Sequence, residues 1–222
     1  MIILNLKNYP EATGLNLRSV LSEIDAAANE NSKVRDLVAV VPAIYDLHFA
    51  VENVNGLQVF SPHVDDKTTG STTGWTPAET LQSINIHYSV LNHSEHRYSN
   101  WEELEATILH VQEVGLKTIV CCENLEEAEK LLRLEPYAIA YEDKDLIGSG
   151  QSITTGRPEE VKKFIELTKN KTKVIIGAGI SSGEDVSQGL EFGAEGFILA
   201  SAFVKAVNKK EKVLELAAPF FN

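Results

Sequence analysis

The chain has 222 residues, 43% hydrophobic and 23% charged, so it can bury a core and does not read as a disordered chain. Its 20 Lys+Arg against 32 Asp+Glu give a formal net charge of −12, which argues against a nucleic-acid or anionic-membrane partner. No apolar run reaches the roughly 18 residues of a membrane span, the start MIILNLKNYP lacks a leader pattern, and the adjacent Cys121 and Cys122 suggest no disulfide framework, so a cytoplasmic protein is expected.

In chain order, residues 2–6 read as a buried strand, and Leu17, Val20, Leu21 and Ile24 follow at helical spacing. Strands are expected at 37–41 and 57–60, and a polar, Gly/Thr-rich connection runs over 61–74. Thr76-Pro77-Ala78-Glu79 reads as a cap, a proline at the first helical position and a capping-box Glu. A strand at 88–91 is followed by a capping-box signal, Ser99-Asn100-Trp101-Glu102, and an apolar stripe of Trp101, Leu104, Ile108 and Val111. A strand at 118–121, a stripe of Leu125, Ala128, Leu131 and Leu132, and a strand at 137–140 come next. The longest connection, from Glu142 to about Thr155, contains Gly148-Ser149-Gly150, and loops of that length in a compact domain usually act as lids. Val161, Phe164 and Ile165 open another helix, and strands at 174–176 and 196–199 flank the cap signal Ser181-Ser182-Gly183-Glu184.

Eight alternations at about 28 residues each fit a closed (β/α)8 barrel, one domain over residues 1–222. A doubly wound open sheet is the alternative, but no Gly-x-Gly-x-x-Gly follows the first strand.

A barrel of this kind gathers its reactive groups where the strands end. Strand one there supplies Asn5 and Lys7, strand four Asn92, His93, Ser94 and Glu95, and strand six Glu142. A lysine is ordinarily a solvated surface residue. Ile3, Asn5 and Lys7, however, share one side of the strand by its period of two, which aims the last two into the barrel mouth. His93 opens a turn whose N–H groups favour a neutral imidazole. Glu142 heads the expected lid connection, where closure would strip its water and strengthen it as a base. Strand seven opens into Gly177-Ala178-Gly179-Ile180 and strand eight into Ala200-Ser201. Two small-residue turns at one end of a barrel are a phosphate-site pattern.

Together these stretches resemble the triosephosphate isomerase family over nearly the whole chain. Asn5-Leu6-Lys7 is similar to its strand-one Asn-x-Lys, and Asn92-His93-Ser94-Glu95-His96-Arg97 to its His-Ser-Glu-x-Arg. Ala140-Tyr141-Glu142 with Leu146-Ile147-Gly148-Ser149-Gly150 resembles its catalytic Glu and lid tip. The length and the last two turns resemble the compact archaeal branch, and the fold implied is the TIM barrel. The resemblance implies interconversion of dihydroxyacetone phosphate and D-glyceraldehyde 3-phosphate through an enediolate, in glycolysis and gluconeogenesis, with no metal and no organic cofactor. Glu142 would be the base, His93 the neutral acid that polarises the carbonyl, and Lys7 the cation that stabilises developing charge. Asn5 would orient Lys7 and substrate, and Glu95 would support Lys7. Ile147, Gly148, Gly179, Ile180, Ala200 and Ser201 would hold the phosphate. Gly70-Ser71-Thr72-Thr73-Gly74 resembles the loop that reaches into a partner subunit, which places Thr73 at a dimer or tetramer contact.

Three departures stand out: Asp143 where the family usually has Pro, Ser61-Pro62-His63 after strand three, and Ser201-Ala202 after strand eight. A Schiff-base aldolase with Lys7 as nucleophile and a non-catalytic phosphosugar-binding barrel are the competing readings.

Overall fold

The computed structural model describes residues 1–146 and 151–221. Their strands are β1 Ile2–Asn5, β2 Val38–Val41, β3 Gln58–Val59, β4 Tyr88–Leu91, β5 Lys117–Cys122, β6 Ala138–Glu142, β7 Lys173–Gly177 and β8 Gly196–Leu199. Each coincides with an apolar run of the sequence. The sheet runs β3-β2-β1-β8-β7-β6-β5-β4 with parallel pairing throughout. A parallel bridge between Ser61 and Ser89 joins its two edge strands and makes the ring a barrel. Ser61 donates its N–H to the Tyr88 carbonyl at 2.9 Å, and Val90 donates to the Ser61 carbonyl at 2.8 Å. The (β/α)8 TIM barrel is the fold; the open sheet is not.

Period-two alternation explains the two apolar cores. Ile3, Val41, Phe60, Val90, Ile119 and Ile175 are among the side chains that fill the barrel interior. Their strand neighbours, such as Leu4, Val40, Leu91, Val120 and Ile176, point outward against the helices. Strands covered on both faces need continuous apolar runs, which is why the sequence shows no polar alternation. At the N-terminal end of the strands, Met1, Tyr88 and Tyr137 pack beneath the inner core. The Lys117 and Lys173 ammonium groups lie 5.0 and 4.9 Å from the Tyr137 ring centre, a cation–π arrangement that finishes this floor. Polar chemistry is left to the opposite mouth.

The helices follow the predicted stripes, with one-residue corrections at their starts. Leu17–Glu30 buries Leu17, Val20, Leu21 and Ile24. For Trp101–Glu113 the N-cap is Asn100, whose side chain accepts from Glu103, so the capping pair is Asn100/Glu103. Gly183–Phe192 is capped by Ser182, with a reciprocal bond from Asp185 in place of the expected Glu184 partner. The Thr76 cap does not form. Helix Ala78–Ser83 follows Pro77, and Thr76 instead donates its N–H to Asp65 Oδ2 at 2.7 Å, closing the base of the polar connection. Among the described residues no helix is long and apolar enough to cross a membrane.

Candidate active site

The end of β1 turns sharply to present its lysine. Lys7 has φ 49°, a left-handed conformation costly for a lysine. Its N–H donates to Asn5 Oδ1 at 3.2 Å, and its Nζ donates to Glu95 Oε1 at 2.7 Å. Asn5 is buried and the Lys7 side chain is 17% exposed, so both face the mouth as the strand period requires. Glu95 is half-exposed, and such a pair contributes little stability. What it does is fix where the ammonium points.

β4 delivers His93, which is buried. Its Nδ1 accepts the N–H of Glu95 at 3.2 Å. An imidazole nitrogen that accepts carries no proton, so this contact is the one made by the neutral tautomer with its hydrogen on Nε2. That Nε2 lies 3.5 Å from Glu142 Oε2.

On β6, Ala138 and Ala140 face the barrel interior, and Glu142 continues their side at the strand end. It is buried, 5% exposed. Gly177 pairs with it across β7, where a Cβ would stand 2.9 Å from Glu142 Oε1, so the glycine makes room for the carboxylate. Glu142 Oε2 has no hydrogen-bond partner among the described residues: its separation from His93 is an ion-pair distance without hydrogen-bond geometry. A buried carboxylate oxygen without a donor is costly unless a ligand engages it.

The two small-residue turns meet these groups. Gly179 has φ +71°, and a Cβ there would fall 1.9 Å from the Gln151 carbonyl oxygen. Only glycine fits. Gly179, Ile180, Ala200 and Ser201 line a cleft of about 450 Å³ together with Lys7, His93 and Glu142. The sequence singles out all seven; Ile147 and Gly148 lie outside the described residues. The same cleft takes in Tyr9 and Lys205, which the sequence reading missed. Lys205 falls four residues after Ser201, one helical turn on, and that spacing was the available signal.

A second hollow of about 770 Å³ adjoins the first and shares Lys7, His93 and Glu95. Its far wall carries Tyr45, Thr73 and Trp75, and Thr73 and Trp75 are exposed. At its edge the His63 ring stacks on His96 at 4.1 Å, and its Nε2 lies 3.2 Å from Asp65 Oδ1, which can only accept. No group of three His, Cys, Asp or Glu among the described residues could hold a metal ion.

Residues 1–217 match the family model described as triosephosphate isomerase. The chain belongs to the triosephosphate isomerase family. Proteins named triosephosphate isomerase from Methanocaldococcus jannaschii and Thermoplasma volcanium are each 38% identical to it. The first alignment covers 97% of this chain and 98% of the relative, the second 92% and 93%. One from Cenarchaeum symbiosum is 36% identical, over 98% of this chain and 96% of its own length. The expected kinship with archaeal members therefore extends over the full barrel.

Proposed function

We propose that this chain interconverts dihydroxyacetone phosphate and D-glyceraldehyde 3-phosphate, a step of glycolysis and gluconeogenesis in the cytoplasm. The observation that carries the reading is the pairing of a neutral His93 with a buried Glu142 3.5 Å away, beside Lys7 and the two turns. Glu142 takes a proton from the carbon next to the carbonyl, and the electron pair moves into an enediolate. His93, through its Nε2 hydrogen, polarises the carbonyl oxygen and relays a proton between the two enediolate oxygens. Glu142 then returns its proton to the neighbouring carbon, so the two sugars differ only in where hydrogen sits and both side chains end unchanged.

Lys7 neutralises charge that builds on oxygen, and Asn5 and Glu95 hold it in place. The backbone at Gly179–Ile180 and Ala200–Ser201 takes the phosphate, and Ile147 and Gly148, outside the described residues, are proposed to share in holding it. Every step is a proton transfer, which these side chains supply themselves. Self-association through the Thr73 connection goes with this reading: Tyr45 and Trp75, on the wall of the adjoining hollow, leave large apolar surface exposed.

A coupled isomerase assay tests the proposal. Wild type turns over either triose phosphate, and Glu142→Asp, which shortens the base by one methylene, turns over far more slowly. Full-speed Glu142→Asp would overturn the assignment of the base.

A further inference from the structure

The turn that carries His93 begins with a residue to which nothing above gives a role. Asn92 is 4% exposed and has φ 59°. That conformation costs most side chains roughly 1–2 kcal/mol and is tolerated best by Gly, Asn and Asp. Its carboxamide is used at both ends. Nδ2 donates to the Cys121 carbonyl on β5 at 3.1 Å, and Oδ1 accepts the Tyr98 N–H at 3.4 Å. The first bond fixes the start of the turn to the neighbouring strand, and the second draws residue 98 back onto residue 92. His93 and its partner Glu95 lie between those anchors. Of the residues that accept this backbone conformation, only Asn offers a donor and an acceptor together; Asp lacks the donor and Gly lacks both.

β5 also connects the turn to the base. Cys121 pairs with Ala140 across the sheet, and Glu142 lies two residues further along the same inward side of β6. The thiol and the carboxylate are neighbours: burial first, and then the Glu142 charge, push the Cys121 thiol up. Through its carbonyl and its side chain, one residue of β5 therefore stands against both the His93 turn and Glu142.

We propose that Asn92 is a positioning residue for the isomerisation, holding the His93 ring toward Glu142 by bridging the Cys121 carbonyl and the Tyr98 N–H. This rests on the acid–base reading of His93 and Glu142, and the test separates the two. Asn92→Gly keeps the left-handed backbone and removes both bonds. Asn92→Asp keeps the acceptor for Tyr98 and removes only the donor. His93→Gln serves as the reference for loss of the acid. Each is assayed at saturating triose phosphate, at a temperature well below its own melting point.

Asn92→Gly is expected to lower kcat by about 10-fold with KM within about two-fold of wild type, since small misplacement of a catalytic group slows chemistry more than binding. Asn92→Asp also loses kcat, by a smaller factor. The ring-nitrogen NMR signals of His93 shift or broaden in both variants, a change that a merely structural role would not produce. If His93→Gln is inactive while Asn92→Gly and Asn92→Asp keep wild-type kcat and wild-type His93 signals, the positioning role is overturned and the acid–base reading stands. Wild-type turnover by His93→Gln would overturn both.

Discussion

Lys7 shows how a single residue can be placed at some energetic cost for the sake of its charge. Its left-handed backbone is held by the Asn5 side chain, and its ammonium by Glu95. Removing one electrostatic group of this kind costs about 3–4 kcal/mol of transition-state stabilisation, so Lys7→Ala should lower kcat/KM by roughly 10²–10³-fold with little change in melting temperature. A change under ten-fold would place the charge elsewhere. His63 gives a pH prediction. Burial, with the His96 ring stacked on it, holds its imidazole below the ordinary value of 6.5 against the opposing pull of Asp65 and Glu103. A group that binds its proton less readily when folded costs nothing above that value and costs stability as pH falls below it. Wild type should therefore melt lower at pH 5.5 than at pH 7.5, and His63→Asn should narrow the gap; an unchanged gap contradicts the assignment.

At this scale Asn5, Lys7, His93 and Glu142 were legible because strand period and strand ends alone decide their direction. What Asn92 and Lys205 do there was not. The strand end placed Asn92 at the mouth and helical spacing hinted at Lys205, but the bonds of the one and the wall formed by the other involve other elements, which a linear pattern does not contain.

Among the elements, the strands were legible almost to the residue, since burial on both faces leaves an unbroken apolar run. Where the sequence carries a cap signal, helix starts were legible to within one residue, whereas Leu47–Asn53 and Lys209–Ala217 carried no signal that was read. The N-cap is set by where the backbone turns extended, as at Asn100 and Ser182, and several Ser, Asn and Glu in a row satisfy the pattern equally well. Thr76 is not the cap because the helix begins one residue later, after Pro77, and its N–H goes to Asp65, eleven residues away. The reciprocal bonds at Ser182 should make Ser182→Ala cost about 1 kcal/mol, a drop of roughly 2–4 °C in melting temperature. The turn after β7 is less forgiving. Gly179→Ala drives a methyl group into the Gln151 carbonyl at a positive φ, so KM for triose phosphate should rise at least ten-fold and the melting temperature should fall. Unchanged KM would remove this turn from the phosphate site.

The segment after Glu142 is tied at its two ends by an ion pair, Arg157 Nε to Asp143 Oδ2 at 3.0 Å. Asp143 Oδ1 also accepts the Asp145 N–H at 2.9 Å. This chain thus holds by side-chain bonds the position where its family usually has Pro.

For the whole molecule, the −12 net charge and the anionic substrate are reconciled by placement. Lys7 and Lys205 stand at the mouth, while acidic side chains such as Glu126 and Glu129 lie on outer helices. The barrel is closed between β3 and β4 by one bridge, and the polar connection beside it ends in exposed Trp75. Light scattering should return at least a dimer, and Trp75→Glu should shift the population toward monomer; a monomeric wild type would contradict self-association through this face.

The acid–base pair of His93 and Glu142 carries the chemistry proposed for this chain. Its most direct test is the turnover of folded Glu142→Gln in the coupled triose phosphate assay, against wild type at saturating substrate. Active wild type and a loss of roughly 10²–10⁴-fold in kcat for the variant are expected. Equal turnover by the two proteins would contradict it.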